Sequence, residues 1–369
     1  MNERFIYLAL RYSTSFSARG FHKLIAYFGD PQKLFNASLN DLLTIDGINR
    51  QKCEQLIADL NNFNIEKTER ELHDRNISFS AFCDATYPIG LKEIFDPPLV
   101  LFTKGQPLSS RQYALGIVGT RRASAYGKRA TEMIVNGMEA IGGTIISGMA
   151  KGIDSIAHST ALERSLYTIA VLGTGVDHIY PYENKGLYEK IMASGTIVSE
   201  LLPGSKPERF TFPLRNRIIS GMSRGVAVIE ASLKSGAMIT AKYAVEQNRD
   251  VFAVPGSIFS DNSSGVHFLI KEGAIVLEKP EDIFKQWNIS SIEQAAEKIM
   301  RIQLTEDEKR IIDVLATSQG LPLTIDDIYA RVAQTMSLNS VMSTLMMLAM
   351  RKDIDEVQGK QYILLKEVI

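Results

Sequence analysis

The chain has 369 residues, too many for one typical hydrophobic core, so two or three domains are expected. Its formal net charge of -1 and its pI of about 6.6 exclude a globally basic nucleic-acid binder, so any such function must depend on a local patch. The two distant cysteines, together with the lack of a signal peptide pattern and of an apolar run near about 18 residues, predict a cytoplasmic protein without membrane insertion.

Residues 1–75 have the pattern of short helices joined by polar turns, and they are expected to form a small helical domain of the helix-hairpin-helix or SAM-like kind. Within them, LLTIDGINRQKCEQLI (residues 42–57) has an Asp-Gly turn followed by a helix whose N-terminus can receive a phosphate. The usual hairpin has a second glycine where this chain has Asn49. Asn tolerates a left-handed backbone, so the turn can still form. The hairpin then either contacts DNA or serves for packing alone.

Residues 76–110 are apolar and punctuated by prolines, which indicates a connector that docks on the next domain. Pro97 and Pro98 prevent a continuing helix, so residues 99–102 are expected to be a short extended piece.

Residues 111–288 alternate strand and helix patterns, and the strands are apolar throughout. This is typical of an α/β domain with a mostly parallel, Rossmann-like sheet and helices on both faces. Ligands of such sheets bind at the carboxyl ends of the strands. The predicted strands are residues 113–118, 144–148, 168–175, 196–200, 225–231, 250–256 and 274–279.

The first of these strands leads into RQYALGIVGTRRASAYGKRA (residues 111–130), a strand, a phosphate-sized turn and a helix. Residues 111–131 contain five basic side chains and no acidic one: Arg111, Arg121, Arg122, Lys128 and Arg129. The positive charge lies where a helix N-terminus already offers free N–H groups. The stretch is either an anion site for a nucleic-acid backbone or an ordinary turn with exposed arginines.

Glycines mark the other strand ends as well. Gly119, Gly148, Gly173, Gly175 and Gly236 permit close approach of a ligand, and Thr120, Ser147, Thr174 and Ser235 add hydrogen-bond donors. Neither a dinucleotide motif nor a P-loop motif is present in the sequence, so no nucleotide cofactor is predicted.

A second basic stretch, residues 203–224, has five basic residues and one acid, with Phe210 and Phe212 among them. Aromatic rings between cations suit a single strand, whose bases stack while arginines bind phosphates. The alternative is that both rings pack inward.

Catalytic candidates are few. Asp154 and His158 lie four residues apart on one helix, as a metal pair would, but no third ligand is in register, so a structural acid and a packed histidine are expected and no metal site is predicted. Glu200 and Glu230 each end a strand, and they either meet as a carboxylate pair or bind neighbouring arginines.

Residues 289–301 are expected to be a linker, and residues 302–369 a winged-helix domain with helices at 305–316, 324–332 and 337–350 and a hairpin around Gly359. The third helix offers Asn339, Ser340, Ser343 and Thr344 but no base-reading arginine before Arg351. We interpret this domain as a packing or partner-binding module.

The motifs of residues 87–105, 116–127, 147–158, 168–187, 212–244 and 251–258 resemble those of the DprA (Smf) family of bacterial DNA-processing proteins. The resemblance covers the central domain in order. It implies a non-enzymatic protein without cofactors that binds single-stranded DNA, protects incoming strands and loads RecA recombinase past single-strand-binding protein during natural transformation. It also implies a homodimer formed through the Rossmann-like domain.

The resemblance places the phosphate on Gly119, Thr120 and Arg121, with Lys185 as a second central ligand. The flanking DNA-binding residues are expected to be Arg122, Ser147, Gly148, Lys151, Arg215, Asn216, Arg217, Ser235 and Gly236. The alternative is a nucleotide-cleaving enzyme of the nucleoside monophosphate phosphoribohydrolase type, which has a similar glycine-rich domain. The abundance of cations and the shortage of acids favour the DNA binder.

Overall fold

The computed structural model describes residues 2–108, 112–289, 305–318, 322–350, 354–357 and 361–364. The chain divides into two compact units, Met1–Trp287 and Asn288–Ile369. Arg111, Arg351, Gly359 and all of the predicted linker except Ile289 lie outside the described residues. The division of the first unit at residues 75 and 110 stays a prediction.

The first unit opens with a layer of helices. They are α1 (Glu3–Tyr12), α2 (Ala18–Phe28), α3 (Pro31–Phe35), α4 (Leu39–Leu43), α5 (Arg50–Asn62) and α6 (Ile65–Asp74). Short polar residues cap each of them at the N-terminus, as helix starts require. Asn49 is one of these caps: it has φ -80° and accepts from the Gln51 N–H at 2.8 Å, so it is extended rather than left-handed.

Nine strands of the described chain form one sheet in the order β1-β2-β6-β5-β4-β3-β7-β8-β9. They are β1 (Ser78–Ala81), β2 (Val100–Gly105), β3 (Ala114–Val118), β4 (Thr144–Ser147), β5 (Thr168–Val171), β6 (Thr196–Ser199), β7 (Gly225–Val228), β8 (Asp250–Ala253) and β9 (Ile275–Val276). At one edge of the sheet, β2 pairs antiparallel with both β1 and β6, and the other ladders of this sheet are parallel. The predicted connector therefore contributes two strands to the sheet.

The mostly parallel, Rossmann-like sheet with helices on both faces is confirmed. The helices are α7 (Ile89–Lys92), α8 (Ala125–Gly137), α9 (Ile153–Glu163), α10 (Lys185–Ser194), α11 (Thr211–Met222), α12 (Gly236–Glu246), α13 (Ser264–Lys271) and α14 (Pro280–Gln286). From β3 the chain builds outward through β4 to β6, then returns to the other side of β3 with β7. The sheet thus reverses its winding between β3 and β7, which is where such sheets bind ligands.

The helical layer and one half of the sheet share a hydrophobic core. Leu8 and Leu10 of α1 belong to the same buried cluster as Phe102 of β2 and Ile197 of β6. A second cluster, which includes Val118 and Val228, lies beneath the point where the winding reverses. The N-terminal helices are therefore packed as part of the first unit.

The C-terminal unit contains helices and a small antiparallel sheet, and its assignment as a winged helix stays a prediction. It contains α15 (Glu306–Ala316), β10 (Leu323–Thr324), α16 (Ile325–Val332), α17 (Leu338–Met350), β11 (Ile354–Val357) and β12 (Gln361–Leu364). Its own core includes Ile311, Ile328 and Leu345. Among the described residues of both units, no helix combines the length and the apolar character needed to cross a membrane.

We expect Phe102→Ala to lower the free energy of unfolding by about 3 to 5 kcal/mol, because the ring is fully buried between the helical layer and the sheet. Trp287, the single tryptophan of the sequence, is buried at the far side of this unit and reports its unfolding by fluorescence. A denaturant titration should show the same shift by tryptophan emission and by far-ultraviolet circular dichroism. A shift in circular dichroism alone would mean that the helical layer unfolds independently.

Candidate nucleic-acid interface

A cleft of about 560 Å³ opens where the sheet reverses its winding. We call it the switch-point cleft. The turn after β3, the segment before α9, the first half of α11 and the start of α12 form its walls. Tyr180 lines it as well, so its residues come from five separate parts of the sequence, and its shape depends on how the intervening turns are fixed.

The turn after β3 is fixed by its own backbone. The Thr120 N–H donates to the Glu230 carbonyl at 2.7 Å, and the Thr120 carbonyl accepts from the Ile153 N–H at 3.2 Å. A Cβ at Gly119 would lie 2.6 Å from the Ile153 side chain. Gly152 has φ +80°, and a Cβ added there would lie 2.3 Å from the Thr120 carbonyl oxygen. Both glycines are therefore required for the close approach of three chain segments.

Glu230 connects this turn to the next helix. Its carboxylate is buried and accepts from the Ser124 hydroxyl at 2.5 Å and from the Ser124 N–H at 3.0 Å. Ser124 in turn caps α8 by accepting from the Gly127 N–H at 3.0 Å. Glu200 instead pairs with Arg217, so the two glutamates do not form a carboxylate pair. Glu230 thus orients the start of α8.

Arg121 projects from this fixed turn into the cleft. Its side chain is exposed and makes no hydrogen bond or ion pair within the part of the chain that the structure describes. Arg122 beside it is exposed as well, and its N–H donates to the Thr120 hydroxyl at 3.2 Å. A cation on a hydrogen-bonded turn, whose guanidinium forms no hydrogen bond or ion pair among the described residues, is well suited to binding an anion.

Arg215 of α11 lies in the floor of the cleft and is buried. Its Nη1 donates to the carbonyls of Gly148 (2.8 Å) and Val171, and its Nε donates to the Asn216 amide oxygen at 3.1 Å. A Cβ at Gly148 would collide with the guanidinium, which explains the glycine. Burial lowers the pKa of Arg215 to about 10, against the effect of Asp154, so the group stays charged at neutral pH.

Asp154 and His158 have structural partners. Asp154 accepts from the Ala150 N–H at 3.3 Å, and burial raises its pKa to about 6 although Arg215 acts in the opposite direction. The His158 ring is fully buried, with Nδ1 2.7 Å from the Thr168 hydroxyl, and burial lowers its pKa to about 3. Within the described residues, no group of three or more potential metal ligands is found.

Lys151 lies beside the cleft, whereas Lys185 is not among the residues that line the cleft or its adjoining pocket. Lys151 lines an adjoining pocket of about 270 Å³ together with Arg121 and Arg215, and its Nζ lies 2.6 Å from the Glu183 carboxylate. Lys185 begins α10 and lies 3.8 Å from Glu189. Exposed ion pairs of this kind contribute little free energy, so both lysines are available to another anion.

Asn216, Ser235 and Gly236 also line the cleft. The Asn216 side-chain amide donates to the Gly236 carbonyl at 3.3 Å, and the Ser235 hydroxyl caps α12 by accepting from the Ala237 N–H at 3.3 Å. A Cβ at Gly236 would meet open space, so this end of the cleft has room for a ligand.

Two expected DNA contacts do not fit the structure. Ser147 is fully buried, and its hydroxyl donates to the Ile117 carbonyl at 2.6 Å within the sheet. Arg217 lies on another side of α11 from the cleft, buried, with its guanidinium 2.5 Å from Glu200 and 3.5 Å from Asp96. Ser147 therefore stabilises the sheet, and Arg217 is committed to a buried ion pair.

The two phenylalanines differ in exposure. Phe210 is 61% exposed next to α11, whereas Phe212 is half-buried, with its ring 5.2 Å from that of Tyr180. Tyr180 and Arg209 line the cleft but are not among the predicted site residues. Arg209 lies within the basic stretch of residues 203–224, so a signal was present for it. For Tyr180 the sequence offered no comparable signal.

The pKa of Asp154 generates a prediction about stability. It is raised from 3.8 to about 6, so the folded protein binds this proton more tightly than the unfolded chain. Its contribution to stability is therefore full below about pH 4 and is lost as the pH rises through about 6. We expect Asp154→Asn, which still accepts from Ala150, to be more stable than the wild type by about 2 kcal/mol near pH 8 and equally stable near pH 4. Urea titrations at both pH values measure this, and an equal difference at both would contradict it.

Comparisons with known proteins give the family. A family model described as DNA recombination-mediator protein A matches residues 78–288. Protein Smf of Synechocystis sp. is 46% identical over 238 residues, which are 63% of this chain and 60% of that protein's length.

Two solved structures are similar to the chain. The X-ray structure of DNA processing protein A from Streptococcus pneumoniae matches with a TM-score of 0.68 and 35% identity, covering 76% of this chain and 97% of that one. DNA processing protein A from Helicobacter pylori, a structure concerned with its single-stranded DNA binding mode, matches with a TM-score of 0.51 and 27% identity over 58% of this chain and 97% of that one. The chain belongs to the DNA recombination-mediator protein A family, the DprA (Smf) family that its motifs resemble.

Proposed function

We propose that this protein binds single-stranded DNA in the switch-point cleft and acts as a non-enzymatic recombination mediator, which protects incoming strands and loads RecA recombinase in natural transformation. Family membership and the single-stranded DNA binding mode of the Helicobacter pylori relative support this proposal. The observation that carries it is Arg121, which forms no hydrogen bond or ion pair among the described residues and lies on a glycine-containing turn above the buried charge of Arg215.

A phosphate of the strand lies between Arg121 and Arg215 in this proposal. The N-terminus of α12, whose first residue Gly236 borders open space, adds free N–H groups and a partial positive charge at the same end of the cleft. These contacts are to the backbone, so they carry no sequence information.

Neighbouring nucleotides follow the basic rim. Lys185, Lys151 and Arg122 provide further cations, and the exposed ring of Phe210 offers a surface on which a base stacks. The exposed Arg209 adds one more cation to the cleft wall. We retain all the predicted contacts except Ser147 and Arg217.

The proposed homodimer involves the β9 edge of the Rossmann-like domain. Large apolar side chains are exposed along the chain that leads from β8 to β9: Ile258, Phe259, Phe268 and Val276. Burial of such side chains against a second copy would supply a hydrophobic driving force. RecA recombinase and single-strand-binding protein are the other partners in this proposal.

Charge reversal at the turn provides the first test of DNA binding. We expect Arg121→Glu to weaken binding of a single strand by at least about tenfold while the melting temperature stays unchanged, because the side chain is exposed and unpaired. Arg129→Glu, an identical change on the exposed surface of α8, is the matched control. Fluorescence anisotropy measures both. Equal losses in the two variants would indicate a non-specific charge effect.

Salt dependence provides a second test. With one phosphate between Arg121 and Arg215 and a second phosphate on Lys185, log K against log salt should fall with a slope of about -1.4 per site, whatever the base sequence. Lys185→Ala should reduce the slope by about 0.7, one phosphate's share. Titrations at several salt concentrations with single strands, duplex and mononucleotides measure this. A shallow slope together with turnover of a nucleoside monophosphate would instead favour the enzyme.

Stacking on Phe210 is tested by its removal. We expect Phe210→Ala to cost about 1 to 3 kcal/mol of strand affinity with little change in stability, since the ring is exposed. Phe212→Ala, which removes a ring packed against Tyr180, should lower the melting temperature instead. The reverse pattern would place the stacking surface inside the cleft.

A further inference from the structure

Asp154 is the one acidic side chain among the described residues that line the switch-point cleft. It lies in the first turn of α9 and is 7% exposed. The basic side chains of the same lining are Arg121, Arg209 and Arg215. A carboxylate next to a phosphate site is unfavourable, because two negative charges at close range repel each other. The charge of Asp154 therefore affects how an anion binds in this cleft.

Backbone contacts hold Asp154 close to the turn that carries Arg121. The Ile153 N–H donates to the Thr120 carbonyl at 3.2 Å, so the first residue of α9 lies against that turn. Asp154 is the next residue of the helix, and Arg121 is the next residue of the turn. The Arg121 charge accordingly acts on the Asp154 carboxyl and favours its ionised form.

A second contact holds Asp154 close to Arg215. The Asp154 carboxylate accepts from the Ala150 N–H at 3.3 Å. Two residues before Ala150, the Gly148 carbonyl accepts from Arg215 Nη1 at 2.8 Å. The short segment from Gly148 to Ala150 thus bridges the carboxylate and the guanidinium. A phosphate between Arg121 and Arg215 would therefore have Asp154 beside it.

The Asp154 carboxyl can change its charge near neutral pH. Burial raises its pKa to about 6, although Arg215 and Arg121 act in the opposite direction. A bound phosphate adds a negative charge and offsets the two positive ones, so it disfavours the ionised carboxyl further. A phosphodiester stays ionised at neutral pH, and the proton therefore goes to the carboxyl.

Charged and titratable groups face this carboxyl from several elements. Arg121 on the turn after β3 and Arg215 on α11 are arginines, which stay protonated in proteins. His158, one turn further along α9, is neutral because burial lowers its pKa to about 3. Lys151 is exposed on the segment before α9, and Arg209 and Tyr180 line the cleft wall. Asp154 is the member of this set whose pKa burial brings to about 6.

We propose that Asp154 takes up a proton when a phosphate of the strand binds between Arg121 and Arg215, so that binding of single-stranded DNA is coupled to the pH. The proton comes from the solvent and forms the carboxylic acid, and no other bond changes. By linkage, the affinity for the strand rises as the pH falls, and it levels off below the pKa of Asp154 in the free protein, which is about 6. This inference rests on the proposed function.

Binding at several pH values tests the coupling. Fluorescence anisotropy with an oligothymidylate strand is measured near pH 6, 7 and 8.5 at constant ionic strength, because thymine has no group that titrates near neutral pH. We expect the affinity of the wild type to be at least about fivefold higher near pH 6 than near pH 8.5. Asp154→Asn, whose amide is neutral and can still accept from the Ala150 N–H, should lose this dependence. Near pH 8.5 it should bind at least about fivefold more tightly than the wild type.

Glu163→Gln is the matched control, since it is the same change of acid to amide at the exposed C-terminal end of α9. It should keep the pH dependence of the wild type. His178→Gln is the second control, because His178 lies two residues before Tyr180 of the cleft lining and imidazoles commonly titrate in this range. This variant should keep the dependence as well. Melting temperatures establish that all the variants are folded.

Calorimetry measures the proton directly and needs no variant. The wild type is titrated with the same strand near pH 7 in two buffers of different ionisation enthalpy, and the difference in heat gives the number of protons taken up. We expect about half a proton or more per bound site. This measurement tests the proposal even if Asp154→Asn does not fold.

Three results would contradict the coupling. Equal pH dependence in the wild type and in Asp154→Asn, or no proton uptake by the wild type, would overturn the proposal and leave the proposed function intact. Loss of the dependence in His178→Gln would assign it to that imidazole and would overturn the proposal as well. If the wild type forms no complex with the strand at any of the three pH values, both proposals fail.

Discussion

The site depends on the close contact between the turn after β3 and the end of β7. The hydrogen bond from Thr120 to the Glu230 carbonyl requires a glycine at position 119, and the Glu230 carboxylate then orients Ser124 at the start of α8. One residue thus fixes both a turn and a helix cap. Because the backbone is held this way, Arg121 needs no side-chain partner to keep its position, and its charge remains available to a ligand.

The buried charge of Arg215 in the cleft is stabilised by neighbouring polar and acidic groups. Arg215 is held by carbonyls of two strand ends and by Asn216, and the nearby Asp154 offsets part of its charge. The cleft is therefore positive without the protein being basic, in agreement with a net charge of -1. Local placement of a few arginines substitutes for the overall positive charge that many nucleic-acid binders use.

The sequence was sufficient to predict the strand, glycine turn and helix around Arg121, because apolar runs and glycines are local signals. It predicted the parallel sheet for the same reason. The sequence could not show that Arg215 lines the cleft and Arg217 does not. Two residues that are two positions apart on a helix lie on different sides of it, and tertiary packing decides what each side contacts. The roles of Glu200 and Glu230 depend likewise on which strand ends become neighbours, which the order along the chain does not give.

The central claim is that Arg121 binds a phosphate of a single strand in the switch-point cleft. Replacing one phosphate at a time by a neutral methylphosphonate, in a short oligonucleotide close to the minimal binding length, tests it directly. At one position we expect neutralisation to weaken binding to the wild type by about tenfold and to leave binding to Arg121→Ala unchanged. Equal losses in wild type and Arg121→Ala at every position would contradict it.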